Sequence, residues 1–175
     1  MAASVERQFE PLGIAVLTVS DSRTPDNDRS GDTLCSRLTE CGHRLVDRRL
    51  VIDDVYVIRA VVSDWIARGD VHVVLVTGGT GVTGRDGTPE AIGPLLDKRL
   101  EGFGELFRWL SFEEIGTSTI QSRALAGVAN STYLFCLPGS PKACATAWDR
   151  ILHAQLDYRT RPCNFAELLP RLGER

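Results

Sequence analysis

The chain holds 175 residues, 43% hydrophobic and 25% charged, with a formal net charge of −3 at pH 7. These values describe an ordinary soluble globular chain with room for a real core, and an acidic balance with no basic block gives no support to nucleic-acid binding. The first ten residues carry no apolar signal segment, no apolar run approaches a membrane span, and the five cysteines form no C-x-x-C pair. A secreted, membrane-embedded or zinc-stapled protein is therefore not expected, and a reduced, cytoplasmic compartment is.

Gly13 to Ser20, G-I-A-V-L-T-V-S, is apolar nearly throughout and reads as a strand of a parallel sheet covered on both faces. The loop from Ser20 to Gly31 holds three aspartates and two arginines just past that strand's C-terminal end, where open α/β sheets bind ligands. A solvated surface loop explains the same composition. Ser30 is placed to cap the next helix, with Asp32 in its first turn. Leu34, Leu38 and Cys41 recur at helical spacing, and Gly42 stops them. Leu45 to Ile52 alternates imperfectly and carries charges, so it is expected nearer an edge of the sheet.

Asp53 and Asp54 open a helix whose apolar stripe is Val57, Ile58, Val61, Val62, Trp65 and Ile66. Asp53 reads in two ways, as the N-cap of that helix or as a carboxylate set at the sheet's edge for a metal. Val71 to Val76 is the third strand. It breaks into T-G-G-T-G-V-T-G-R-D-G-T-P-E, with Gly78, Gly79, Gly81, Gly84 and Gly87 between Thr77 and Thr88. Thr88 at the cap and Pro89 at the first position start a helix with Ala91, Ile92, Leu95 and Leu96 on its buried face. Glu101 to Glu105, E-G-F-G-E, reads as a kinked connection into a helix carrying Leu106, Phe107, Trp109 and Leu110. Thr117 to Arg123 is polar. Thr132 to Leu137 is a fourth strand, turning through Pro138-Gly139-Ser140-Pro141-Lys142 into a helix that reaches about His153. The residues from Asp157 onward, with Pro162 and Pro170, read as a tail packed on a neighbour or on the surface. The alternation of strands and helices predicts one α/β domain over residues 1–175, with a core of about 10–156 and a tail of 157–175, built on a mostly parallel sheet with helices on both faces.

The glycine loop is the chemical centre of this pattern. Glycines allow positive φ, so successive backbone N–H groups converge on an anion, and a following helix adds its positive end. The loop spells G-x-G-x-x-G from Gly79 to Gly84, but the helix starts too late for a dinucleotide fingerprint and no ribose-binding acid follows. No Walker A lysine is present. Asp86 sits within the loop, where a carboxylate repels phosphate unless a cation intervenes. Magnesium is the natural intermediary, with Asp53 as a second carboxylate and Arg85, Lys142 and Arg23 as further positive charge. His43, His72 and His153 form no metal pattern. No nucleophile elbow or activated cysteine appears, which fits phosphoryl or nucleotidyl transfer, where a substrate phosphate is itself the nucleophile.

T-G-G-T-G together with R-D-G-T-P-E-A resembles the molybdenum cofactor biosynthesis proteins of the MoaB/MogA family, related to the G domain of gephyrin. V-S-D-S-R, D-R-S-G, V-I-D-D, E-G-F-G-E-L-F-R, S-F-E-E-I-G-T-S-T-I-Q-S-R, L-P-G-S-P-K-A and T-R-P-C-N-F resemble it too, in order, over about residues 10–168. The E-E-I-G-T-S-T segment and the tail point to the bacterial MoaB branch. The resemblance implies a three-layer α/β sandwich that binds molybdopterin and adenylylates its terminal phosphate with Mg²⁺ and ATP, releasing pyrophosphate. It implies Asp53 and Asp86 as catalytic and metal-holding carboxylates. Thr77, Gly78, Gly79, Thr80, Gly81 and Thr88 would hold nucleotide or phosphate. Ser20, Asp21, Ser122, Pro138, Gly139, Ser140, Pro141 and Lys142 would line the substrate pocket. It also implies a homo-oligomer, trimer or hexamer, with other molybdenum cofactor enzymes among its partners. Gly87 departs from the larger apolar residue common at that position in adenylylating members. A pterin-binding carrier without catalysis is the competing expectation; a scaffold or a nicotinamide enzyme fits the residues less well.

Overall fold

The computed structural model describes residues 7–174. Six strands form one sheet: β1 (Gly13–Val19), β2 (Arg44–Val51), β3 (Val73–Thr77), β4 (Lys98–Arg99), β5 (Leu125–Ala129) and β6 (Thr132–Leu137). Their order across the sheet is β2-β1-β3-β6-β5-β4. The first four in that order run parallel; β5 then runs antiparallel to β6, and β4 antiparallel to β5 at the far edge. The helices are α1 (Arg29–Glu40), α2 (Val55–Ile66), α3 (Thr88–Ile92), α4 (Glu101–Ile115), α5 (Pro141–Ala147), α6 (His153–Gln155) and α7 (Phe165–Leu168). A wider π-type turn, Trp148–Leu152, joins α5 to α6.

The sheet is covered on both faces, and its central strands, apolar but for three threonines, are buried at every position. Ile14 and Val16 of β1, Val73 and Leu75 of β3, and Tyr133 and Phe135 of β6 face α1, α4 and α5. Ala15, Leu17, Val74, Val76, Leu134 and Cys136 face α2 and α3. This period-two division between two cores makes the three layers that the sequence predicts. Each fully buried valine or leucine of these strands contributes about 1.5–3 kcal/mol relative to exposure. β2 is half-buried at the edge, as its charges predict.

Several local expectations change. Asp28, not Ser30, caps α1, accepting from the Gly31 N–H at 3.0 Å; an ionised carboxylate is the stronger acceptor. Asp54, not Asp53, caps α2, accepting from the N–H groups of Tyr56 and Val57 at 2.8 and 3.0 Å. The N-cap of α3 is Gly87, and the Thr88 hydroxyl donates instead to the Gly78 carbonyl at 2.8 Å. E-G-F-G-E is not a kink. It opens α4 directly, because Gly104 lets the helix lie against the Ala124 carbonyl, which a β-carbon would meet at 2.7 Å. The β5–β6 hairpin escaped the sequence reading: Leu125–Ala129 is short and small, and Asn130 and Ser131 turn it with φ of 44° and 64°. In the C-terminal tail, Ala166 is buried and Phe165 packs on the core beneath the sheet.

Candidate active site

The C-terminal ends of β1, β3 and β6 meet one cleft of about 610 Å³. The glycine loop forms its floor. Thr77 is fully buried and donates its hydroxyl to the Pro138 carbonyl at 3.0 Å, tying the end of β3 to the loop after β6. Gly78 and Gly79 follow with φ of 102° and 64°. A β-carbon on Gly78 would collide with the Val19 carbonyl, and one on Gly79 with Thr88 and Asp53. Glycine is required at both on grounds of conformation and of space. A β-carbon on Gly139 would come within 3.2 Å of the Gly78 Cα, so the loops after β3 and β6 approach closely at the cleft floor. The helix behind the loop is only five residues long, shorter than the sequence suggests.

Carboxylates flank this floor. Freed from capping, Asp53 turns to the loop, where Oδ1 accepts from the Gly87 N–H at 3.0 Å. Burial, then the neighbouring Asp86 and Asp21 charges, push its carboxyl above the ordinary range, against the Gly87 hydrogen bond and Arg85. Asp86 accepts from the Thr83 hydroxyl and N–H at 2.5 and 2.8 Å, and these bonds, the hydroxyl foremost, hold its carboxyl low. Its Oδ2 lies where a β-carbon on Gly81 would come within 2.7 Å. Asp21 forms a two-pronged pair with Arg85, both contacts 2.8 Å, and accepts from the Asp53 N–H at 3.0 Å.

The structure brings together at the cleft Ser20, Asp21, Asp53, Gly78, Gly79, Thr80, Gly81, Asp86, Ser122, Pro138, Gly139 and Ser140. The Ser20 hydroxyl accepts from the N–H groups of Ser22 and Arg23, and the Ser140 hydroxyl caps α5 through the Ala143 N–H. Thr77 and Thr88 are buried behind the floor and shape it. Pro141 starts α5 outside the lining. Lys142 points away: its side chain is 70% exposed and pairs with Glu114 at 3.1 Å, so it supplies no charge to the cleft. The two arginines that line the cleft are both engaged, Arg85 with Asp21 and Arg23 with Asp28, Ser30 and the Gly139 carbonyl. His72 and His43 serve the backbone, accepting from the N–H groups of Gly13 and Leu12, and burial lowers His43 to about 4.

Two parts of the site escaped the sequence reading. One is the opposite wall, where Phe107, Ser111 and Ile115 of α4 and the following turn, Gly116–Gln121, present an apolar and hydroxyl-rich surface. The other is Arg123, whose guanidinium binds the Gly81 and Asp86 carbonyls at 2.7 and 2.6 Å. The available signal was S-R at the end of the polar segment, directly after a pocket serine.

The family described as "Probable molybdopterin binding domain" matches residues 15–158. The chain is 58% identical over 163 residues to molybdenum cofactor biosynthesis protein B of Escherichia coli K12, covering 93% of this chain and 96% of the relative. It is 42% identical over 147 residues to the protein of that name from Staphylococcus carnosus, covering 82% and 86%. Among solved structures, a crystal structure of molybdenum cofactor biosynthesis protein B superposes with a TM-score of 0.80 at 38% identity, over 95% of this chain and 94% of that one. The tungsten cofactor synthesizing protein MoaB from Pyrococcus furiosus gives 0.73 at 37% identity, over 82% and 92%. A fold, a glycine-floored cleft and a sequence that agree over this length have one reading: the chain belongs to the molybdopterin-binding family of molybdenum cofactor biosynthesis protein B.

Proposed function

We propose that the protein binds molybdopterin in this cleft and adenylylates its terminal phosphate with Mg²⁺-ATP, releasing pyrophosphate. The observation that carries the reading is the glycine floor at Gly78–Gly81 with Asp53 and Asp86 facing it. In the reaction an oxygen of the molybdopterin phosphate attacks the α-phosphorus of ATP. The new P–O bond forms as the bond from that phosphorus to the β-phosphate bridge breaks, and pyrophosphate departs. No protein nucleophile is needed, which suits a cleft of amides, hydroxyls and carboxylates. The loop amides bind and orient phosphate, and the wall from Phe107 to Gln121 receives the flat pterin and excludes water.

Magnesium fits the donors present. Asp53 is half-buried beside the carboxylates of Asp86 and Asp21, a set of hard oxygen donors of the kind magnesium takes. Among the described residues no three His, Cys, Asp or Glu side chains gather as a metal cluster. Two carboxylates would serve as protein donors, with phosphate oxygens and water as the remaining ligands. Asp53 and Asp86 would hold the ion, which when bound offsets the charge of the triphosphate beside them.

The test is formation of adenylyl-molybdopterin by the wild type, Asp53→Ala and Asp86→Ala, with and without Mg²⁺ and ATP. Product from the wild type alone supports the reading. No product despite tight molybdopterin binding overturns catalysis and leaves a carrier. We extend the proposal to a homo-oligomer, trimer or hexamer, working in a reducing cytoplasm. Five free thiols support the compartment. Trp109, Phe112 and Ile120, which are 63%, 53% and 78% exposed on and after α4, support the assembly. A monomeric mass in light scattering would exclude it.

A further inference from the structure

We propose that Arg123 is a positioning residue, which sets the pose of the loop from Gly81 to Asp86 and thereby of the Asp86 carboxylate; the proposal rests on the role given to Asp86 above. Within the loop from Gly81 to Asp86 the four central residues are exposed, Val82 at 67%. Its internal bonds close it on itself: the Asp86 N–H donates to the Thr83 carbonyl at 3.1 Å, and the Asp86 carboxylate takes the Thr83 hydroxyl and N–H. Those contacts fix the shape of the loop but not its place on the body.

Ties to the body do that. At the base of the loop the Thr88 N–H bonds the Gly79 carbonyl at 3.0 Å and the Thr88 hydroxyl the Gly78 carbonyl at 2.8 Å, and just past Asp86 the Gly87 N–H bonds Asp53 Oδ1 at 3.0 Å. The Arg85–Asp21 pair crosses the mouth, but its side chains are 65% and 41% exposed, and water screens such a pair. Arg123 is the tie that grips both ends. Its N–H donates to the Thr80 carbonyl at 3.1 Å, Nε donates to the Gly81 carbonyl at 2.7 Å, and one terminal nitrogen donates to the Asp86 carbonyl at 2.6 Å. The other terminal nitrogen pairs with Glu90 on α3. One guanidinium therefore joins the start of the loop, its end and the helix that follows. Arg123 is itself held by its place between the turn after α4 and the buried Ala124 that leads into β5.

Arg123 is not among the residues that line the cleft. Its contacts to the loop are with carbonyls, and these set the backbone from which the Asp86 carboxylate projects. A planar fork of five N–H donors meets three acceptors in different directions; a lysine ammonium on a flexible stem keeps the charge without that geometry.

The experiment uses the full chain and two readouts. Amide hydrogen exchange in the ligand-free protein compares wild type, Arg123→Lys and Arg123→Ala. Faster exchange at residues 81–88 in both variants, with β1, β3 and β6 unchanged, is expected. Titration with Mg²⁺-ATP then compares wild type, Arg123→Lys, Asp86→Ala and the double variant Asp86→Ala with Arg123→Lys. Loss of pose is expected to weaken binding about tenfold in Arg123→Lys, and by less than about twofold further once Asp86 is gone, because the two act as one unit. Unchanged loop exchange overturns the proposal, and so does an undiminished Arg123→Lys effect without Asp86. If the wild type binds no Mg²⁺-ATP, the adenylylation reading fails separately, and the exchange comparison still decides the role of Arg123.

Discussion

The buried carboxylate of Asp28 offers the sharpest test of how the cleft is held. Its side chain is 1% exposed and takes five polar contacts. Oδ2 accepts from the Thr18 hydroxyl at 2.7 Å and from Arg48 at 2.9 Å; Oδ1 accepts from the Gly31 N–H at 3.0 Å, from the Ser30 hydroxyl at 3.3 Å and from Arg23 at 3.5 Å. Asp28→Asn keeps the shape but turns an amide NH₂ toward one set of donors. Hydrogen bonds to a charged group contribute about 1.5–3 kcal/mol, and breaking a wholly buried ion pair costs about 3–5 kcal/mol. Arg48 retains Asp32 at 2.8 Å on its outer side, so it is not stranded. The expected loss is therefore about 2–3 kcal/mol, or about 4–12 °C in Tm for a chain of this size. Urea unfolding followed by circular dichroism measures it, with Asp32→Asn, at a side chain 56% exposed, as a control expected to lose under ~1 kcal/mol. The pH dependence adds a signed check. Burial acts to raise the Asp28 carboxyl, but Arg48, Thr18 and Gly31 outweigh it, and the folded value lies below the ordinary one. Its contribution is full above the unfolded value of about 3.9 and is lost as pH falls through the folded value. The gap between wild type and Asp28→Asn must then close in acid. A gap that is negligible at pH 7, or constant down the acid limb, would refute the assignment.

Gly78→Ala is expected to destabilise by about 3 kcal/mol or more, since it adds a left-handed alanine and a clash with Val19. Gly84→Ala, with open space around it, is expected to stay within about 1 kcal/mol; equal unfolding midpoints would show that the floor is not strained. Asp53→Asn is expected to raise the thermal midpoint in EDTA while abolishing adenylylation. A carboxyl raised in the folded state destabilises that state at neutral pH, and the amide oxygen still accepts from Gly87. A lower midpoint in calorimetry would contradict the crowding of carboxylates described here.

The chain announced its floor more clearly than its walls. Val73–Thr77 and the glycines after it leave few alternatives, because a buried strand that breaks into clustered glycines, two of them at positive φ, is a common way to build a ligand-facing loop. Capping was harder to read. Asp53 and Asp54 are neighbours with the same side chain, and only the three-dimensional pull of Gly87 decides which one faces the loop. The same holds at α1, where Asp28 and Ser30 are both good caps and the buried Arg48 contact selects the aspartate. β5 was hidden by its size: Leu125–Ala129 is five residues long, and three of them, Ala126, Gly127 and Ala129, are poor strand formers. The role of Arg123 is a relation between a residue and carbonyls about forty positions away, and side-chain identity carries no trace of that. Lys142 shows the converse, a charge expected to serve phosphate that a nearer carboxylate on α4 claims first.

The two rims of the sheet have a bearing on how copies of the chain meet. At one rim β2 carries Arg44, Asp47, Arg48 and Arg49 along an eight-residue strand, and at the other β4 is only two residues, Lys98 and Arg99. A charged rim and a stub are both poor templates for an incoming strand, which would have to bury like charges or find few partners for its backbone. Growth by strand pairing, the route that leads toward fibrils, is thus disfavoured at either end of a sheet whose interior is almost wholly aliphatic and aromatic. The chain can keep a very hydrophobic centre at high concentration because its backbone offers no long, neutral edge to extend.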